Sequence, residues 1–132
     1  MSDSYEEIYR KISTLKEYEP VPGDFLFKKT GAEIVGKFID LTNSGTILEV
    51  GCGAGVNSAF LSQSAKRVIA TDLPYYNCKT HSLGISVARN LLRKIDAKNV
   101  KMISCSGERL PFADNTFDIV FSFFVMVLIM SS

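Results

Sequence analysis

The sequence has 132 residues, of which 46% are hydrophobic and 22% charged, and its formal net charge is +1. This composition excludes a disordered chain and predicts a compact fold with a hydrophobic core. Basic residues are concentrated in residues 66–101. Mixed charge on a solvated helix surface explains that segment, so we do not expect nucleic acid as a partner.

The cysteine pattern is that of a reducing compartment. Cys52, Cys78 and Cys105 are odd in number and widely spaced, and no signal peptide is recognised ahead of them, so we expect a cytoplasmic protein. His81 is the only histidine, and zinc needs three or four ligands, so no metal site is expected. The apolar run 119–130 is shorter than the roughly 20 residues of a membrane span and is interpreted as core.

Two helices are predicted in residues 1–44. Ser4 and Glu7 have the spacing of a capping box, and apolar residues follow at helical intervals. Asp24 is expected to cap a second helix, whose inner face would carry Phe27, Gly31, Ile34, Val35 and Phe38. We treat residues 1–44 as an N-terminal helical segment.

Short apolar strands alternate with helices from residue 45 to the end. Strands are predicted over residues 46–50, 67–71, 100–104 and 118–123, with helices over 56–65 and around 85–95. Strands joined by crossover helices form a parallel sheet, which predicts a doubly wound α/β fold. Ligands of such sheets bind beyond the carboxyl ends of the strands.

The glycine-rich stretch after the first strand, LEVGCGAG, is the main candidate for a ligand site. A dinucleotide site requires Gly-x-Gly-x-x-Gly, but Val56 stands at the third glycine position. Glu49 would repel a pyrophosphate and attract a cation. S-adenosylmethionine has a sulfonium and an ammonium group and no phosphate, so it fits this loop better than NAD. A tight turn without a ligand is the alternative.

Asp72 ends the second strand about twenty residues after the glycine loop. A carboxylate at this position can accept hydrogen bonds from both hydroxyls of a ribose. A local turn or helix cap at Asp-Leu-Pro is the alternative interpretation.

Three stretches in register, ILEVGCGAG, VIATDLP and SGERLPFADNTFDIVFS, resemble the class I S-adenosylmethionine-dependent methyltransferases, in particular the methyltransferase type 11 or ubiquinone-biosynthesis-like group. The resemblance implies that the first strand and its loop bind the methionine part, that Asp72 binds ribose, that Leu73 packs on adenine, and that the turn after the third strand faces the adenine edge. Family members often carry Asp where this chain has Ser106. The implied cofactor-binding residues are Glu49, Gly51, Cys52, Gly53, Gly55, Asp72, Leu73, Ser106, Gly107 and Glu108.

The resemblance also implies a Rossmann-like sheet of order 3-2-1-4. Only the first four strands of the family fold have counterparts, so residues 45–132 are interpreted as a partial methyltransferase domain with its fourth strand at the edge. Such an edge, followed by the apolar residues 123–130, predicts self-association or pairing with a partner chain. Asp118 is expected to begin or cap the fourth strand and to have no catalytic role. Leu110, Pro111 and Phe112 form a family-like loop or pack on the core.

The implied function is an S-adenosylmethionine-dependent methyltransferase acting on a small-molecule acceptor. The alternatives are a truncated or non-catalytic cofactor-binding module that needs a partner chain and, less favoured, an NAD-dependent oxidoreductase. Tyr75, Tyr76 and His81 are the polar groups near Asp72 in sequence, but such loop residues are more often packing or surface groups. No catalytic residue is assigned.

Overall fold

A parallel sheet with helices packed against it organises the chain. The structure is a computed structural model that describes residues 4–16, 24–38, 45–74 and 85–122. Its elements, in chain order, are α1 (Tyr5–Ser13), α2 (Asp24–Phe38), β1 (Thr46–Val50), α3 (Val56–Ser62), β2 (Arg67–Asp72), α4 (Ile85–Lys94), β3 (Val100–Ser104) and β4 (Ile119–Phe121). Tyr75, Tyr76, Cys78 and His81, which the sequence analysis considered without assigning them a role, and the apolar residues 123–130 lie outside the described residues.

The four strands are parallel and lie in the order β3-β2-β1-β4, which confirms the predicted topology. β1 is central, with Glu49 in register with Ala70 on one side and Phe121 on the other. β1 and β3 have the predicted bounds, and β2 extends one residue further, to Asp72. Because the strands are parallel, the carboxyl ends of all four lie at the same end of the sheet.

β4 begins one residue later than predicted, at Ile119. Asp118 lies outside the strand, and its Oδ2 accepts a hydrogen bond from the Thr46 N–H at 2.8 Å. The Asp118 N–H in turn donates to the Thr46 carbonyl at 3.0 Å. Asp118 therefore joins the amino-terminal ends of β1 and β4, the structural role expected for it.

Helices α1, α3 and α4 share one core. Its largest buried cluster joins residues of all three helices and of the loop before α3: Tyr5, Ile8, Ile12, Ala54, Val56, Ala59, Leu91 and Leu92, together with Ala32 of α2. The capping box of Ser4 and Glu7 is present, which confirms that prediction. α3 ends earlier than predicted, at Ser62, where the Asn99 side-chain amide donates to the carbonyls of Ser62 at 2.6 Å and Ala65 at 3.1 Å.

The inner face predicted for α2 is wrong at Ile34. This side chain is 52% exposed, whereas Ala32, which was not predicted to face inward, is 6% exposed. Ala32 and Ile34 lie on opposite sides of a helix, because two residues correspond to about 200° of rotation. Lys29 pairs with the exposed Glu6 and so joins α2 to α1. The side chains of Phe27, Val35 and Phe38 lie outside the described part of the helix.

The opposite face of the sheet is covered by the segment between β3 and β4. Leu48, Val50 and Ile69 are buried there beneath partly buried hydrophobic side chains of that segment, namely Leu110, Phe112 and Phe117. The rings of Phe112 and Phe117 meet edge to face at 4.9 Å between centroids. Leu110 and Phe112 therefore pack on the core, whereas Pro111 is exposed.

In the described ranges, no helix combines the length and the apolar character needed to cross a membrane.

Candidate functional site

The loop of residues 51–55 turns the chain from β1 into α3 with three glycines in the left-handed region. Gly51, Gly53 and Gly55 have φ of 74°, 57° and 90°. Side chains with a Cβ rarely adopt these angles, so the turn itself requires the three glycines. The glycine count alone therefore does not indicate a ligand, whereas the space and the charge around the loop can do so.

The space around two of these glycines differs. A Cβ added at Gly53 would meet no atom within 4 Å, whereas one added at Gly55 would lie 2.8 Å from Leu92 Cδ1. Gly55 therefore allows α4 to pack closely behind the loop, and Gly53 leaves open space in front of it. This open space is where a ligand can approach the backbone.

Backbone hydrogen bonds hold the loop against the end of β2. The N–H groups of Gly51 and Cys52 both donate to the Thr71 carbonyl, each at 2.9 Å. The Gly55 N–H donates to the Cys52 carbonyl at 3.0 Å and closes the turn. Cys52 is 6% exposed as a whole residue and packs with Ala70, so its thiol lies in the core.

Asp72 joins the end of β2 to the glycine loop. Its Oδ2 accepts from the Gly53 N–H at 2.8 Å, and its Oδ1 accepts from the Leu73 N–H at 2.7 Å. The second bond is the local turn contact considered as the alternative for Asp72, and the first spans 19 residues. Each carboxylate oxygen has two lone pairs, so a single hydrogen bond to each oxygen does not by itself saturate Asp72.

Glu49 places a carboxylate in the interior, directly before the loop. It is 2% exposed and lies between Ala70 and Phe121 of the neighbouring strands. A carboxylate removed from water is stabilised by positive charge and destabilised by a second anion. In its ionised form Glu49 would fit a cationic ligand and oppose a pyrophosphate. Val56 stands where a dinucleotide-binding motif has its third glycine. It is 1% exposed and packs in the helical core.

The turn after β3 lies at the same carboxyl end of the sheet as Asp72. Ser104 is in register with Asp72, and the Cys105 N–H donates to the Asp72 carbonyl at 3.0 Å. Ser106 Oγ accepts a hydrogen bond from the Glu108 N–H at 3.2 Å, which stabilises the turn of residues 106–108. The Ser106 hydroxyl can still donate its proton to another acceptor. Ser106 and Glu108 are exposed, and Gly107 is half-buried between them.

Cys105 was not predicted to lie at this end of the sheet. Burial raises the pKa of its thiol, a side-chain hydrogen bond with Thr71 opposes that rise, and the charge of nearby Asp72 adds to it. The Thr71 hydroxyl donates its proton to the Glu49 carbonyl at 3.1 Å, which joins β2 to β1 beside the loop. The alignment of β2 with β3 is the signal that would have found Cys105, because it follows the residue paired with Asp72.

The described residues therefore bring together most of the predicted set. Glu49, the glycine loop, Asp72 and Leu73 lie around the ends of β1 and β2, and the turn of residues 106–108 follows the end of β3. The open space at Gly53, the buried carboxylate of Glu49 and the remaining acceptor capacity of Asp72 fit the methionine and ribose parts of S-adenosylmethionine. Binding by each residue stays a prediction.

Comparison with known proteins identifies the family. A family described as "Methyltransferase domain" matches residues 48–131. A demethylmenaquinone methyltransferase of Corynebacterium urealyticum is 35% identical over 82 residues, covering 62% of this chain and 30% of that protein. The enzyme of the same name from Corynebacterium kroppenstedtii is 30% identical over 118 residues, covering 89% of this chain and 36% of that protein. The chain thus spans about a third of the length of these relatives.

Solved structures share the fold. A SAM-dependent methyltransferase from Aquifex aeolicus superimposes with a TM-score of 0.57 at 25% identity, covering 92% of this chain and 57% of that one. The YcgJ protein from Bacillus subtilis gives a TM-score of 0.62 at 22% identity, covering 74% of this chain and 38% of that one. With the family match over residues 48–131, these comparisons show that the chain belongs to the methyltransferase domain family, within the class I S-adenosylmethionine-dependent methyltransferases.

Proposed function

We propose that this chain binds S-adenosylmethionine at the carboxyl end of its sheet and serves the transfer of the methyl group to a small-molecule acceptor. The observation that carries the proposal is the hydrogen bond of 2.8 Å between the Gly53 N–H and Asp72 Oδ2. This bond fixes the glycine loop beside the carboxylate that ends β2, next to the buried carboxylate of Glu49. Family membership favours this cofactor over NAD.

Each predicted residue has a distinct part in the proposal. Glu49 stabilises the positive charge of the cofactor, and the backbone of residues 51–53 lies along its methionine part. Asp72 accepts hydrogen bonds from the ribose hydroxyls, and the half-buried Leu73 packs on adenine. The turn of Ser106, Gly107 and Glu108 faces the adenine edge, while Cys52 and Gly55 shape the loop from behind.

Methyl transfer needs little from the protein beyond holding the cofactor and the acceptor in the correct relative position. When bound, the cofactor supplies a methyl group activated by a sulfonium for in-line displacement. The residues of this chain bind and orient that group, and holding two reactants in attack geometry is worth up to roughly 7–11 kcal/mol of the barrier. We assign no catalytic base, in keeping with the sequence analysis.

The acceptor is proposed from the relatives. Both of the curated relatives described above are demethylmenaquinone methyltransferases, so demethylmenaquinone is the first acceptor to test. These matches cover 30% and 36% of the relatives, so they support the acceptor class through a shared portion only.

Calorimetric titration with S-adenosylhomocysteine, the product form of the cofactor, tests the proposal, with NADH titrated in parallel. We expect saturable binding of S-adenosylhomocysteine and none of NADH. Asp72→Asn should weaken S-adenosylhomocysteine binding by about 1–3 kcal/mol, because one acceptor oxygen is replaced by a donor. Asp114→Asn is the matched control, since Asp114 is exposed in the segment between β3 and β4.

One result would reject the proposed cofactor, and another would reject only the role of Asp72. Binding of NADH alone would favour an oxidoreductase, and full affinity in Asp72→Asn would remove Asp72 from the ribose site. Unfolding of each variant by denaturant is measured alongside, because Asp72 also holds the Gly53 and Leu73 N–H groups.

A second candidate is a cofactor-binding module that acts with another chain or a second copy. It is favoured by β4, which pairs with β1 on one side and leaves Val120 58% exposed at the sheet edge. Light scattering over a range of concentrations measures the assembly. A monodisperse monomer that methylates the acceptor unaided would exclude this candidate.

The proposal also covers the cellular location of the protein and the division of the chain into two segments. A cytoplasmic location, expected from the cysteine pattern of the sequence, stays part of the proposal. The division into an N-terminal helical segment of residues 1–44 and a partial methyltransferase domain of residues 45–132 stays a prediction.

A further inference from the structure

The N-terminal helix makes a buried polar contact with the start of α3. Tyr5 Oη donates a hydrogen bond to Asn57 Oδ1 at 2.8 Å, between residues 52 positions apart in the sequence. Tyr5 is 5% exposed and Asn57 is 6% exposed. The Tyr5 ring also meets Phe60 edge to face, with 5.3 Å between centroids. α1 is thus fixed to the first turns of α3 by both a polar and an aromatic contact.

Asn57 lies two residues after the last glycine of the loop. Gly55 is the N-cap of α3, so the position of the first helical turn and the conformation of the loop are set together. Ala54 and Val56, on either side of Gly55, belong to the same buried cluster as Tyr5, Ile8 and Ile12. α1 therefore packs on the back of the glycine loop, whereas Asp72 holds the loop through Gly53.

We infer that α1 braces the cofactor loop through the Tyr5–Asn57 hydrogen bond, so that Tyr5 is a positioning residue for cofactor binding. The inference rests on the proposed function and deepens it. Three glycines give the loop many conformations in the absence of restraint. A restraint that holds the binding conformation raises apparent affinity by the factor by which it raises the population of that conformation. Tyr5 supplies this restraint without needing to touch the cofactor.

A purely structural role for Tyr5 makes a different prediction. In that case loss of the hydroxyl lowers stability, because the buried Asn57 oxygen loses its partner, but the folded fraction binds the cofactor as before. A brace predicts loss of affinity in the folded protein and greater opening of the loop. Affinity and loop opening therefore decide between the two roles, whereas stability alone does not.

The test uses the full chain with Tyr5→Phe, which removes one hydroxyl. We expect the Kd for S-adenosylhomocysteine to rise about five-fold or more, as for loss of one buried hydrogen bond. Hydrogen exchange of amides 51–58 should become faster in the ligand-free protein. Ile12→Val is the matched control, because it trims a fully buried side chain of α1 away from the hydrogen bond. Its Kd should stay within about two-fold of the original.

A double variant, Tyr5→Phe with Asn57→Leu, separates the brace from folding. Removing both polar partners together should restore much of the stability lost in Tyr5→Phe. The brace predicts that weak binding persists, since the hydrogen bond that restrains the loop is still absent. Recovery of the original Kd in the double variant would overturn the inference, and so would unchanged Kd and loop exchange in Tyr5→Phe.

Failure of the proposed function gives a different result. If the unaltered chain does not bind S-adenosylhomocysteine, the cofactor proposal fails whatever the variants do. Exchange of amides 51–58 in the ligand-free chain still reports the brace. Faster exchange in Tyr5→Phe but not in Ile12→Val supports it, and equal exchange in both variants rejects it.

Discussion

The glycines of the loop have the same backbone requirement but different neighbours. Gly53 and Gly55 both need positive φ, yet open space lies beside Gly53 and the Leu92 side chain lies beside Gly55. Substitution of each by alanine therefore separates the contribution of ligand contact from that of packing.

Gly53→Ala should chiefly weaken cofactor binding. The left-handed conformation costs alanine about 1–2 kcal/mol of stability, with no added clash, because nothing lies within 4 Å of its Cβ. The methyl group would occupy the space through which the cofactor approaches. Titration with S-adenosylhomocysteine and denaturant unfolding measure the two effects.

Gly55→Ala is the contrasting variant. Its Cβ would lie 2.8 Å from Leu92 Cδ1, so overpacking adds about 1–3 kcal/mol to the conformational cost and stability should fall further than in Gly53→Ala. If Gly53→Ala keeps the affinity of the unaltered chain, the cofactor does not pass over Gly53.

Cys105 should resist alkylation at neutral pH. Burial and the charge of Asp72 raise the pKa of its thiol, and only the thiolate is the nucleophile. A raised pKa in the folded state means that the thiol form contributes stability below the unfolded pKa and that this contribution is lost as pH rises through the folded pKa. Iodoacetamide labelling read by peptide mass should therefore require higher pH in the folded chain than in the unfolded one. Equal rates in the two states at neutral pH would contradict this expectation.

At the scale of elements, Asp118 joins β1 to β4 far from the cofactor loop. Asp118→Ala should lower the free energy of unfolding by about 1 kcal/mol, because the Thr46 N–H loses its 2.8 Å acceptor. Affinity for S-adenosylhomocysteine should not change, since Thr46 lies at the opposite end of β1 from the loop. Asp114→Ala serves as the control. Weakened binding in Asp118→Ala at full stability would give Asp118 a functional role.

The sequence predicted most of the elements because their signals are local. Alternating apolar runs and the glycines located β1 and β3 to the residue, and the spacing of Asp72 from the loop placed it at the end of β2, whereas its contact with Gly53 was not predicted. The face of α2 was not predictable, because apolar residues lie on several sides of this helix and both Leu26 and Ile34 are exposed.

The contacts that sequence reasoning missed depend on tertiary docking. Tyr5 and Asn57 meet only after α1 packs on α3, and no local pattern encodes a partner 52 residues away. Asn99 similarly reaches back to the end of α3 from the residue before β3. Both side chains satisfy hydrogen bonds whose partners become neighbours only in the folded chain.

At the scale of the whole molecule, the exposed edge at β4 should govern association. Val120→Lys should reduce self-association, because a charge at a sheet edge disfavours pairing with another strand. Stability should change by no more than about 0.5 kcal/mol, as for other surface substitutions. Light scattering at several concentrations provides the measurement.

Leu26→Lys is the matched control, because Leu26 is 68% exposed on α2 and not on the sheet. If both variants reduce association equally, general surface hydrophobicity and not the strand edge is responsible.

The hydrogen bonds from Gly51 and Cys52 to the Thr71 carbonyl also bear on the order of folding. They link residues about twenty positions apart within one β1–α3–β2 unit, and such short-range contacts form before distant ones. We expect amides of the loop to gain protection together with β2 in pulsed hydrogen exchange, ahead of those that depend on β4. The part of the site built by Glu49, the loop and Asp72 would then exist on a chain that is still folding, so a cofactor present during synthesis can bind to and stabilise an intermediate as well as the finished protein.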